Sequence, residues 1–191
     1  MRKIILMMGI SLDGYTEGPG RDIGWHQVDE ALHRHMNEKV RSFGGLLTGR
    51  VTHELMASYW PAAGADPEST PTEVEFAALW NDIPKIVFSR TLPPGPAPYH
   101  STVVNEVLPE AIRALKEQPG GDLNVGGADL AATFLAHDLI DEFHTYVHPV
   151  LIGTGSPLFP VTEFAPRVLR LMGTQTFDNG VVLLRHARVP A

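Results

Sequence analysis

The chain has no cysteine. Disulfides, thiolate zinc sites, iron–sulfur clusters and cysteine nucleophiles are therefore excluded. Positive charge is scarce as well: 15 Lys and Arg against 22 Asp and Glu leave a formal charge of −7. Without a basic block, neither nucleic acid nor an anionic membrane surface is an expected partner. No apolar run reaches the ~20 residues that a membrane-spanning helix needs. The apolar opening breaks at Asp13-Gly14, too early for a secretory signal with its small-residue cleavage site. The expected location is cytoplasmic.

What is present suits one globular domain. Hydrophobic residues make up 43% of 191 residues, enough chain to bury a core without staples. Residues 3–11 are apolar with little alternation, which predicts a strand buried on both faces. Residues 28–43 place Val28, Leu32, Met36, Val40 and Phe43 at helical spacing, with Asp29 and Glu30 in the first turn. The pattern then predicts a strand over 46–48, a short helix over 49–56 and a long loop over 57–71. Loops of that kind are often lids, and Trp60-Pro61 near its start would belong to one. A helix follows over 72–81, strands over 85–89, 102–104, 122–125 and 140–147, and helices over 108–117 and 128–137. The proline-rich stretch 93–98 reads as an irregular connection. Residues 168–177 and 181–187 flank Asn179-Gly180, a strong signal for a hairpin. Alternating strands and helices with a terminal hairpin predict an α/β fold: a mixed, mostly parallel sheet between helices, with an antiparallel edge.

Three segments carry chemistry. Gly49-Arg50-Val51-Thr52 and Gly126-Gly127-Ala128-Asp129-Leu130 are strand–turn–helix junctions. There, backbone N–H groups and a helix N-terminus can approach a phosphate; glycines also serve simply for tight turns. Ser89-Arg90-Thr91 sets hydroxyl, guanidinium and hydroxyl groups at a strand end, suited to a phosphomonoester such as the 2′-phosphate of NADPH. Neither junction is a Rossmann fingerprint or a Walker loop.

In this order the three segments resemble the dihydrofolate reductase-like superfamily. Ile10-Ser11-Leu12-Asp13-Gly14 and Pro149-Val150-Leu151-Ile152-Gly153-Thr154-Gly155 are similar to its riboflavin-biosynthesis branch, the reductase half of the bifunctional deaminase-reductase and its stand-alone bacterial relatives. The resemblance implies one domain over 1–191 with a three-layer α/β/α fold, and an NADPH-dependent reductase of a small pyrimidine- or pterin-like substrate. It implies that Gly49, Arg50 and Thr52 face the cofactor pyrophosphate, and that Ser89 and Arg90 hold the 2′-phosphate. Gly126, Gly127, Ala128, Asp129 and Leu130 would pack on pyrophosphate and nicotinamide ribose, with Gly155 and Ser156 forming another glycine-rich approach.

On the substrate side the resemblance implies an acid in the helix a few residues past a Trp. Trp25 is followed by Asp29 and Glu30, either of which would hydrogen-bond a pterin-like ring if buried. Glu30 also has Arg34 four residues on, a surface-pair spacing. Asp13 is a third candidate, or an Asp-Gly turn. Dihydrofolate reduction and a non-catalytic nucleotide-binding or regulatory role on the same fold remain alternatives. Nine histidines invite a metal reading, but no His-Glu-x-x-His occurs and no metal is expected. The hairpin offers a sheet edge that a second subunit would cover, so a homodimer is expected.

Overall fold

The apolar opening becomes a central strand of a nine-stranded sheet, the fourth from one edge. The structure is a computed structural model and describes residues 1–160 and 166–189. In chain order, β1 (Ile4–Ser11) leads to β2 (Tyr15–Glu17), a 3-10 turn at Pro19–Arg21 and α1 (Glu30–Ser42). Next come β3 (Gly45–Gly49), α2 (Arg50–Ala63), α3 (Pro71–Asp82) and β4 (Lys85–Phe88). They are followed by β5 (Gly95–Ala97), β6 (Ser101–Val104), α4 (Pro109–Glu117), β7 (Leu123–Gly126) and α5 (Ala128–Ala136). The chain closes with β8 (Glu142–His148), β9 (Ser156–Pro157), β10 (Leu169–Thr176) and β11 (Val182–Arg188).

The large sheet runs β10-β11-β8-β1-β7-β3-β4-β6-β5. From β8 to β6 every neighbour is parallel, and antiparallel strands finish both edges. The expected mixed, mostly parallel sheet with a C-terminal hairpin is what forms. Residues alternate between faces along each strand. Ile4 and Leu6 on β1 meet Ile112 of α4 and Leu130, Ala131 and Phe134 of α5 on one face. Ile5 and Leu46 meet Val40 of α1 and Trp80 of α3 on the other.

Helix caps explain where the helices begin. Asp29 is the N-cap of α1, its side chain accepting from the Leu32 N–H at 2.8 Å. Thr70 and Glu73 form a reciprocal capping box at the start of α3.

Two expectations are corrected. The first half of the expected long loop over 57–71 is helix, because α2 continues to Ala63 with Pro61 inside it. Pro61 lies in the last turn and forfeits only one hydrogen bond there. Trp60 packs on Phe76 with ring centroids 4.3 Å apart and on His33 at 6.0 Å, so it joins α2 to α3 and α1 rather than forming a lid. The 93–98 stretch contains β5, which prolines tolerate because it is an edge strand. The small β2–β9 sheet had no sequence signal, since strands of three and two residues show no periodicity.

Lys85 ties one end of the sheet to α3. It is 2% exposed, and its ammonium lies 4.3 Å from the Trp80 ring centroid. The ammonium donates to the Trp80 carbonyl and to those of Ile83 and Tyr99, each of the latter at 2.9 Å. Burial pushes its pKa down to about 8. Lys85→Met should lower stability by about 2 kcal/mol, because it leaves buried carbonyls unpaired; urea unfolding checks this, and an unchanged midpoint would contradict it.

Candidate active site

The carboxyl ends of β1, β7, β3 and β4 share one edge of the sheet. That edge also holds a reversal of strand order, since β7 inserts between β1 and β3 late in the chain. Open α/β sheets bind ligands at such points. Here the strands part. β1 pairs with β7 only over Ile4–Leu6, while it stays paired with β8 as far as Ser11↔His148. Met7, Met8, Gly9 and Ile10 are half-buried on what is otherwise a central strand. Past Leu6, β1 therefore has no strand beside it on the side where β7 leaves.

Gly127 makes that departure. Its φ of +92° is the left-handed region that favours glycine, and its N–H meets the Met8 sulfur at 3.4 Å. A Cβ on Gly127 would stand 2.6 Å from Thr52 Oγ1. The two glycine junctions, far apart in sequence, are therefore in contact. Gly49 caps α2 and faces open space. Gly126 is buried beside Thr48. Ala128 opens α5, Asp129 is exposed, and the Leu130 side chain lies in the core, so only its backbone is available to a ligand.

Beyond them, at the end of β4, the buried Ser89 hydroxyl accepts from the Thr91 and Leu92 N–H groups at 3.2 and 3.0 Å. Asn105 clamps the same turn by donating to the Ser89 and Leu92 carbonyls at 2.6 and 2.8 Å. No motif marked Asn105 in the sequence. Arg90 is exposed and makes no ion pair among the described residues. Arg50 is paired with Glu54 at 2.6 Å, so its charge is shared. Gly155 and Ser156 are committed elsewhere. A Cβ on Gly155 would lie 2.0 Å from the Glu17 carbonyl oxygen, and Ser156 Oγ donates to Glu17 Oε1 at 2.8 Å.

The three acids do not form the buried acid that the resemblance implies. Glu30 is exposed and paired with Arg34. Asp29 caps α1. Asp13 accepts from the Gly153 and Ile152 N–H groups at 2.7 and 3.3 Å, and the Ser11 hydroxyl followed by those amides holds its carboxyl below the usual range. Trp25 lies at the site's edge, its ring centroid 4.1 Å from that of His26 and 5.7 Å from that of His148. Sequence reasoning missed His26 altogether, since a loop residue follows no periodicity. Among the described residues no three His, Cys, Asp or Glu side chains gather into a metal-holding group.

Comparison with known proteins adds the lineage of this geometry. The sequence profile of the RibD C-terminal domain family matches residues 2–183. The chain is 34% identical over 183 residues to the uncharacterized protein YyaP of Bacillus subtilis (strain 168), covering 95% of this chain and 92% of that one. A crystal structure from Shewanella sp. PV-4, named for riboflavin biosynthesis, matches over 100% of both chains with a TM-score of 0.74 at 23% identity. The diaminohydroxyphosphoribosylaminopyrimidine deaminase/5-amino-6-(5-phosphoribosylamino)uracil reductase of Thermotoga maritima matches with a TM-score of 0.67 at 16% identity. It aligns with 98% of this chain, which spans 57% of its length. At these identities the likeness to both structures is one of fold.

Imidazoles that burial keeps neutral make stability depend on pH. Burial pushes His148 down from 6.5 to about 4 and also lowers His26, His33, His35, His53 and His144. They bind protons near pH 6.5 in the unfolded chain but not in the folded one. The stability they contribute is complete above pH ~6.5 and is lost as the pH falls toward 4. His148 alone accounts for about 3 kcal/mol of that loss. Thermal melts should drop steadily over this range, and His148→Phe should flatten the drop; a flat wild-type profile would contradict the assignment.

Proposed function

The chain belongs to the RibD C-terminal domain family, and from that premise we propose that it is an NADPH-dependent reductase of a small pyrimidine- or pterin-like substrate. The observation that carries this reading is the parting of β1 from β7 in front of the Gly127–Thr52 contact. β1, β7, β3 and β4 are successive neighbours, so the row from β1 to Arg90 is about 14 Å long at ordinary strand spacing. An extended dinucleotide suits a row of that kind.

The residues fit such a group. The backbone at Gly49 and Gly127 is bare, and both positions are helix N-caps, where N–H groups and the helix dipole favour phosphate oxygens. The Thr52 hydroxyl lies between the two junctions. Met8 and Ile10, on one face of β1, supply apolar surface for an uncharged ring and exclude water from it. When bound, NADPH supplies the hydride. The chain's own part is to hold the two reactants in register. Asp13, Asp29 and Glu30 are each engaged at the surface, which sets this site apart from one that reduces dihydrofolate through a buried helix acid. No helix among the described residues is long and apolar enough to cross a membrane.

Arg90 is the group that would distinguish NADPH from NADH, because its guanidinium is uncommitted while that of Arg50 is paired. Arg90→Ala should weaken NADPH binding at least about tenfold and leave NADH binding within about twofold, read by fluorescence titration. Equal losses for the two cofactors would overturn the assignment.

We further propose a homodimer formed through β10. This edge strand exposes Leu171 and Met172 side by side at a bulge, with Val168 just before it. An uncovered apolar edge invites strand pairing. Light scattering on the eluting protein should give twice the chain mass of 20.9 kDa, and a monomer at micromolar concentration would refute it.

A further inference from the structure

Gly9 lies on β1 just past the point where β7 departs. It shares a face with Ile5 and Met7, the face that packs against α1. A Cβ built on Gly9 would be 3.2 Å from His148 Nε2 and 3.2 Å from His26 Nε2. Two imidazole nitrogens therefore converge over Gly9, whose missing side chain lets them lie that close to the strand. The rings are stacked, with centroids 4.8 Å apart and planes 27° apart, and Trp25 stands edge-on to both.

The hydrogen bonding determines what this pair presents. The Gln27 N–H donates to His148 Nδ1 at 3.1 Å. Gln27 is itself held by Asn179, whose side-chain amide donates to the Gln27 carbonyl at 2.9 Å. A neutral imidazole has one donor and one acceptor nitrogen. With Nδ1 accepting, the proton of His148 must sit on Nε2, so this atom is a fixed N–H donor. His26 Nε2 is buried and has no hydrogen-bond partner among the described residues. A buried polar atom left unpaired calls for an explanation, and a bound molecule supplies one.

The chemistry narrows the molecule. A metal ion needs a lone pair on Nε2, which the His148 tautomer does not offer. An anion needs positive charge, and burial keeps both imidazoles neutral at ordinary pH. What matches is an uncharged ring bearing a carbonyl oxygen beside a ring N–H. The carbonyl accepts from His148 Nε2–H, and the N–H donates to His26 Nε2. We propose that His148 and His26, above Gly9, recognise the lactam edge of a heterocyclic substrate, with Trp25 as the wall of the pocket. This rests on the reductase reading for its substrate class but not on the cofactor contacts.

The test uses the wild-type protein with three probes. Pterin and 5,6-diaminouracil carry a lactam edge; 2,4-diaminopteridine has an amino group in place of the carbonyl. Binding is followed by calorimetry, and the imidazole nitrogens by long-range nitrogen–proton correlation spectra. Both lactam probes should bind and shift the His148 and His26 Nε2 signals, while 2,4-diaminopteridine binds at least about tenfold more weakly. His148→Phe should lose the lactam preference, and NADPH titration of that variant reports the cofactor site separately. His26→Phe provides the same comparison if His148→Phe does not fold. Failure of either lactam probe to bind, equal binding of all three, or unmoved imidazole signals would overturn the proposal. Lactam binding as expected in a protein that takes no NADPH would sustain it and overturn the cofactor reading instead.

Discussion

The site depends on one constraint: β1 and β7 stay paired for only three residues, Ile4 to Leu6. A parallel strand pair held together along its whole length would leave no opening in the middle of the sheet. Here β7 follows β3 up to Thr48↔Gly126 and turns away at Gly127, while β8 keeps β1 straight to its end. The back half of β1 is thus supported from one side and open on the other. Met8 meets the turning backbone through its sulfur, and Gly9 leaves bare backbone under the two imidazoles. Both halves of the proposed site, the glycine row toward Arg90 and the histidine pair beside β8, lie next to that opening.

Its electrostatics are restrained. The chain is acidic overall, yet the acids that border the site are tied up in a helix cap, a surface ion pair and a loop contact. Arg50 is matched by Glu54. This leaves an uncommitted cation, Arg90, at one end of the row and two neutral imidazoles at the other. A ligand charged at one end and uncharged at the other suits such a gradient, because a charge is costly to bury unless it is paired.

Much of the fold was readable because its signals are local. The spacing of Leu32, Met36 and Val40 predicted α1, and Asn179-Gly180 predicted the β10–β11 turn. The misreadings have physical causes as well. Pro61 suggested a loop, but a proline in a last turn costs a helix little, and the packing of Trp60 on Phe76 holds that turn in place. β2 and β9 form because Gly155 lets the chain lie against Glu17, a contact with no periodic trace. For the site, the glycine junctions and Ser89-Arg90 stood out in the sequence as turn chemistry. The surroundings of the acids were not legible, because helical spacing does not reveal whether a first-turn carboxylate faces a pocket or solvent.

Composition, strand–helix alternation and the glycine junctions were determined by the sequence itself, since each expresses a backbone preference that acts over a few residues. Only the tertiary structure decided that Thr52 would meet Gly127 and that β7 would part from β1. It alone set His26 against His148, residues more than a hundred positions apart, with Gln27 and Asn179 determining which nitrogen carries the proton. The physical reason is that register and tautomer are properties of partners, and partners are chosen by how the whole sheet packs. The missing cysteines, the scarce positive charge and the short apolar runs limited the chemistry from the start; where the remaining chemistry gathers was settled by the point at which two neighbouring strands separate.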